Sequence, residues 1–109
     1  ADLVELTHQI CPEVRLEPTP GHTPGHVSIH IESQGQEALI TGDCIHHPCQ
    51  IEHLDWASNA DFDQTASTQT RKHLMNTYTD TDVLIIGTHF PTPTAGYIKH
   101  SEKGYWLAT

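Results

Sequence analysis

Basic residues are scarce. Five Lys and Arg stand against 14 Asp and Glu, a formal charge of −9 over 109 residues. The five (Arg15, Arg71, Lys72, Lys99 and Lys103) form no patch, which excludes nucleic acid or an anionic membrane held through counterion release. Long apolar runs are also missing, and nothing approaches the ~18 residues that a membrane-spanning helix needs. Cysteine is limited to Cys11, Cys44 and Cys49. An odd number without a CxxC pair excludes a disulfide framework and favours a reducing, cytoplasmic setting. Apolar residues make up only 36%, lean for a self-sufficient core, so a partner segment is expected to supply the rest.

Histidine, by contrast, is abundant. The chain has ten, among them His22 with His26 and the adjacent His46 and His47. Histidine is the commonest metal-ligand side chain, so the composition raises a metal hypothesis. A metal-buffering protein would share this composition.

Residues 1–13 show no period and read as an irregular lead-in. Val14 to Glu17 reads as a short strand running into a loop, 18–26, whose three prolines and two glycines forbid a helix. Val27 to Ile31 alternates with period two, and after the turn residues 33–36 the run Ala38-Leu39-Ile40 predicts the second strand of a hairpin. Residues 44–60 form a long aperiodic loop, of the kind that is usually functional or mobile. A helix is expected from Asp61 to about Tyr78, with Asp61 as N-cap and Gln64 as its capping-box partner. Its apolar stripe comprises Ala66, Thr70, Leu74 and Tyr78, flanked by Phe62 and Met75. Val83 to Ile86 reads as a buried strand, and two short closing strands are expected around Tyr97 to Lys99 and Tyr105 to Leu107. This order predicts an α/β (α+β) architecture. Trp56 and Trp106 are expected in core or lid packing.

Three candidate metal ligands fall where strands end: His22, Asp43 and His89, each at or near a glycine that lets the backbone turn sharply. Imidazole and carboxylate together suit zinc, manganese or iron. The surrounding residues, TPGHTPGH at 19–26, Thr41-Gly42-Asp43, and Gly87-Thr88-His89-Phe90-Pro91, resemble the third, fourth and fifth motifs of the metallo-β-lactamase superfamily, in order. Ile45-His46, Gln50, Asp61-Phe62-Asp63 and Thr70-Arg71 resemble the branch containing methyl parathion hydrolase and related lactonases.

The resemblance implies an αββα sandwich holding two metal ions, zinc by preference, between its sheets. His22 would ligate the first ion, His89 the second, and Asp43 would bridge both at the catalytic centre. A metal-held hydroxide would then attack a small-molecule ester, lactone or phosphotriester. His26 is read as supporting the ligands from behind, and Phe90 and His46 as lining the substrate pocket. The family's first motif, HxHxDH, does not occur in the chain. The sequence is therefore expected to be the C-terminal part of one such domain, with the motif-bearing N-terminal half absent. On this count each ion has one histidine and the shared aspartate, too few for a catalytic site. The chain would then be an inactive fragment or metal-binding module, completed by the missing half or by a second copy in a homodimer.

Overall fold

The computed structural model describes residues 1–109, and its centre is the predicted hairpin. Strands β3 (Val27–Ser33) and β4 (Gln36–Ile40) pair antiparallel across Gln34 and Gly35. Both turn residues have positive φ, 52° and 76°, as in the two-residue turns whose twist matches that of the strands. Upstream, β2 (Val14–Pro18) pairs with β3, and β1 (Gln9–Cys11) with β2. Downstream, β5 (Val83–Ile86) lies parallel to β4 and antiparallel to β6 (Ala95–Ser101), which pairs with β7 (Gly104–Ala108). The seven strands thus stand in sequence order in one open sheet.

The parallel β4–β5 step requires a crossover, and it contains two helices, the short α1 (Cys49–Glu52) and α2 (Gln64–Tyr78). Leu74, Met75 and Tyr78 of α2 pack with Leu39, Val83, Ile85 and Ile98 from one sheet face, and with Cys44, Ile45, Ile51 and Phe90. Polar contacts fix this packing. The Tyr78 hydroxyl donates to Glu17 at 2.6 Å, and buried His30 is held by Glu37 at 2.9 Å and Arg15 at 2.8 Å.

The opposite face carries Leu16, Ile29, Ile31, Ala38, Ile40, Leu84 and Ile86, all half-buried. Nothing packs over it. The architecture is a mixed α/β open sheet with helices on one side, as half of an αββα sandwich requires. No helix is long and apolar enough to cross a membrane.

Several expectations are corrected. Gln9 to Cys11 is a strand, because Leu16 donates its backbone N–H to His8 at 2.9 Å and extends the pairing. The 44–60 loop contains α1. The cap of α2 is Asp63, whose carboxylate accepts from Ala66 N–H at 2.9 Å, so Asp61 is free for another role. Phe62 lies outside the apolar stripe, 77% exposed. Ser67 and Arg71 are buried in the helix face instead. Trp56 and Trp106 are exposed too, and Trp56 stacks on His53.

The β2–β3 loop rests directly on α2. At Gly21, with φ of 135°, a Cβ would lie 2.3 Å from the backbone of Ser67. Gly21→Ala is expected to destabilise the fold by about 2–3 kcal/mol through combined strain and clash. Gly35→Ala, with positive φ but nothing within 4 Å, should cost only about 1–2 kcal/mol. Urea unfolding of both variants measures the difference.

Candidate metal centre

The register brings the three strand-end residues together. β3 starts where β4 ends, and β5 runs parallel to β4. The β2–β3 loop and the C-terminal ends of β4 and β5 therefore share one end of the sheet. His22 Nε2 lies 3.2 Å from Asp43 Oδ2, and His89 Nε2 lies 2.7 Å from Asp43 Oδ1. Each carboxylate oxygen thus faces one imidazole from a different loop.

Asp43 owes its position to a single 3-10 turn, Gly42–Cys44. Gly42 has φ of 57°, and a Cβ there would meet His26 Nε2 at 2.8 Å. That close approach lets His26 Nε2 accept the Asp43 backbone N–H at 2.9 Å. The ring proton is then on Nδ1, donated to the Thr19 carbonyl at 3.0 Å. Behind it, Thr19 Oγ1 meets Ser28 Oγ at 2.9 Å, and Ser28 donates to the Thr41 carbonyl at 3.0 Å. Cys44 Sγ donates to the same carbonyl, and burial pushes its thiol up to about 11, so it packs as an apolar group.

His22 has a partner that sequence reasoning missed. Its Nδ1 lies 3.1 Å from Oδ1 of Asp61, whose side chain is fully buried, and Ser58 N–H donates to the other Asp61 oxygen at 3.2 Å. Backbone bonds from Phe62 to the His22 carbonyl and from Asp63 to the Gly21 carbonyl fasten this segment along the ligand loop. The signal was present in Asp61-Phe62-Asp63: two aspartates precede one helix, and only one can cap it. A carboxylate on Nδ1 fixes the tautomer and turns Nε2 toward a metal.

His46 also enters the site. Its ring centroid lies 5.3 Å from that of His22 and 5.7 Å from that of His89, and it is stacked parallel to His89. Donor atoms of His22, Asp43 and His46 lie within 4.8 Å of one another, so His46 stands beside the His22–Asp43 pair. Phe90, read as a pocket residue, is only 6% exposed within the core, its ring against Gly87. A second histidine-carboxylate group, His30, Glu32 and Glu37, lies on β3 and β4. There His30 is already engaged by Glu37 and Arg15.

Electrostatics suit a cation. Burial penalises the charge of Asp43, yet the His89 hydrogen bond and the neighbouring imidazoles hold its carboxyl below the usual range. Asp61 is likewise low despite burial, through Ser67, His22 and the Ser58 amide. Burial lowers His26 and His46, which keeps imidazole in the neutral form that ligation needs. His22 turns Nδ1 to Asp61 and Nε2 to within 3.2 Å of Asp43 Oδ2, an imidazole nitrogen beside a carboxylate oxygen, and that donor chemistry fits a metal ion.

The metallo-beta-lactamase superfamily profile matches residues 1–89. No curated protein matches the chain. Among solved structures, it is similar to AidC, a dizinc quorum-quenching lactonase solved with its product. The identity is 26% and the TM-score 0.85, over 96% of this chain and 36% of that one. An N-acyl homoserine lactone hydrolase with N-hexanoyl-L-homoserine at its catalytic metal centre is 31% identical, with a TM-score of 0.59, over 70% of this chain and 30% of its own. AiiA of B. thuringiensis, with N-decanoyl-L-homoserine at its active site, gives the same four values. The chain thus spans about a third of the length of these structures.

Loss of the Asp61 carboxylate would free the His22 ring to rotate. Asp61→Ala is expected to weaken zinc binding about 10- to 100-fold, measured by calorimetric titration. Asp61→Asn keeps an acceptor and should retain most of the affinity.

Proposed function

The chain belongs to the metallo-β-lactamase superfamily, and on that premise we propose that it is the C-terminal part of the catalytic domain of a metal-dependent hydrolase. The single observation that carries this reading is the Asp43 carboxylate, one oxygen toward His22 at 3.2 Å and the other toward His89 at 2.7 Å. His22 and His89 would each hold one ion, and Asp43 would bridge them. Bound divalent cations would lower the pKa of water and stabilise charge developing on the attacked oxygen.

The chain's own residues orient and neutralise. Asp61 aims His22, His26 holds the backbone of Asp43, and Asp43 would supply negative charge to bound cations. Zinc is the proposed metal, and the substrate class is a small ester, lactone or phosphotriester. Likeness to lactonases at 26% and 31% identity supports the lactone. The remaining ligands would come from an HxHxDH motif outside these residues.

Fusion of residues 1–109 to the HxHxDH-bearing half of a related lactonase tests the reading. Zinc-dependent hydrolysis of an N-acyl homoserine lactone is expected, reduced at least about 100-fold by His22→Ala, Asp43→Ala or His89→Ala, in line with loss of the held metal. The monomeric 109-residue chain should show no turnover of lactone, ester or phosphotriester. Metal-dependent turnover by a proven monomer would mean that the site is elsewhere.

A second reading is favoured by the uncovered sheet face. Ile29, Ile31, Ala38, Ile40, Leu84 and Ile86 make a continuous apolar surface of a kind that normally marks an interface. In isolation the chain would act as a metal-binding module that covers this face with a second copy. Sedimentation equilibrium at micromolar concentration should show a dimer, and a strictly monomeric, folded species would remove this reading.

A further inference from the structure

His46 is the one histidine at the centre whose ring the protein leaves unemployed. His22 has a carboxylate on each nitrogen, His26 bonds Thr19 and the Asp43 amide, and His89 Nε2 meets Asp43. The only bond recorded for His46 is from its backbone N–H to Gln50 Oε1, at 2.6 Å. Its Nδ1 is buried with no partner.

The ring is nevertheless held firmly in place. Gln50 donates in turn to the Trp56 carbonyl at 2.7 Å, and the preceding Cys44 and Ile45 are each 1% exposed in the core. Parallel stacking on His89 limits its rotation. A half-buried imidazole whose buried Nδ1 has no protein partner, beside two other donor groups, has the character of a preorganised ligand.

We infer that His46 is a third protein ligand to the ion at His22 and Asp43, so that this chain alone holds one divalent transition-metal ion in a two-histidine, one-carboxylate site. This rests on the proposed metal reading and extends it. The two metal positions become unequal. The His22 side gathers three donors within 4.8 Å, a set that leaves coordination positions open. The His89 side has only His89 and the other Asp43 oxygen. Tetrahedral Zn–N bonds of about 2.0–2.1 Å separate ligand atoms by less than this spread, so a modest closing of the side chains around the ion completes the site. The first ion would then bind independently of any further segment, and the second would not.

Cobalt(II) titration of the 109-residue chain, followed by visible absorption and hyperfine-shifted proton NMR, tests this. One ion per chain is expected, with two shifted ring N–H signals, from His22 and His46. His46→Ala should lose one signal and weaken binding at least about 100-fold, the upper end of what losing a ligand's supporting partner costs. His46→Gln separates ligation from packing, since it keeps bulk and polarity but should rescue little affinity. His89→Ala should change affinity less than about 10-fold, and the exposed His47→Ala not at all. Circular dichroism confirms that each variant is folded. Unchanged binding in folded His46→Ala, with binding abolished by His22→Ala and Asp43→Ala, overturns the role of His46 and leaves the metal reading standing. If His22→Ala and Asp43→Ala also bind normally, the metal reading itself fails. Two ions on the wild-type chain, or none, overturns the single self-contained site.

Discussion

An aspartate held between imidazoles constrains everything around it. The Asp43 oxygens face ring nitrogens at 3.2 and 2.7 Å, and neither approach is favourable unless a proton or a metal ion lies in the gap. Holding the carboxylate there requires a backbone that turns at once after β4, which only Gly42 permits, with its positive φ and His26 pressed against its Cα. His26 in turn depends on Thr19, and Thr19 on Ser28 and Thr41. All three hydroxyl residues are buried. A polar chain of this kind is stable only when each member is satisfied.

The two sheet faces show the same division of labour. The face under α2 combines aliphatic packing with an ionic web of Arg15, Glu17, His30, Glu37 and Tyr78, and needs nothing further. The other face is apolar and half-buried across its central strands. Loops at the sheet end carry His22, Asp43 and His89, so the apolar face ends beside the candidate metal centre.

Much of this was legible in the sequence because short-range patterns produced it. Alternation at 27–31 and 38–40 located the hairpin, the two prolines and glycines around His22 marked a loop, and glycines flagged the turns that carry His22 and Asp43. What escaped were features decided by long-range packing. Asp61 and Asp63 have the same chemistry and a similar local setting. Only the folded contacts separate them, Asp63 accepting from Ala66 N–H as the helix cap and Asp61 meeting His22 Nδ1. His46 was legible as a pocket-lining residue but not as a neighbour of His22 and Asp43, because nothing in the aperiodic stretch 44–60 shows that Cys44 and Ile45 are pinned in the core. Phe62 and Trp56, apolar by type, are left outside because both lie in the segment before α2, which starts only after its cap Asp63.

Charge at the centre gives an independent view of its capacity. Counting imidazoles as neutral ligands, the centre contains two carboxylates, Asp43 and Asp61. The fully buried Arg71 is linked through Ser67 to the neighbourhood of Asp61. The sum is one negative charge. A single divalent ion brings it to one positive charge, a balance that suits one anionic ligand such as hydroxide or a product carboxylate. A second divalent ion would leave three uncompensated positive charges in a partly buried site, and burying unpaired charge is costly. Additional carboxylate must therefore accompany the second ion. An HxHxDH motif carries both an aspartate and histidines, so the segment that would complete the donor set would also correct the charge.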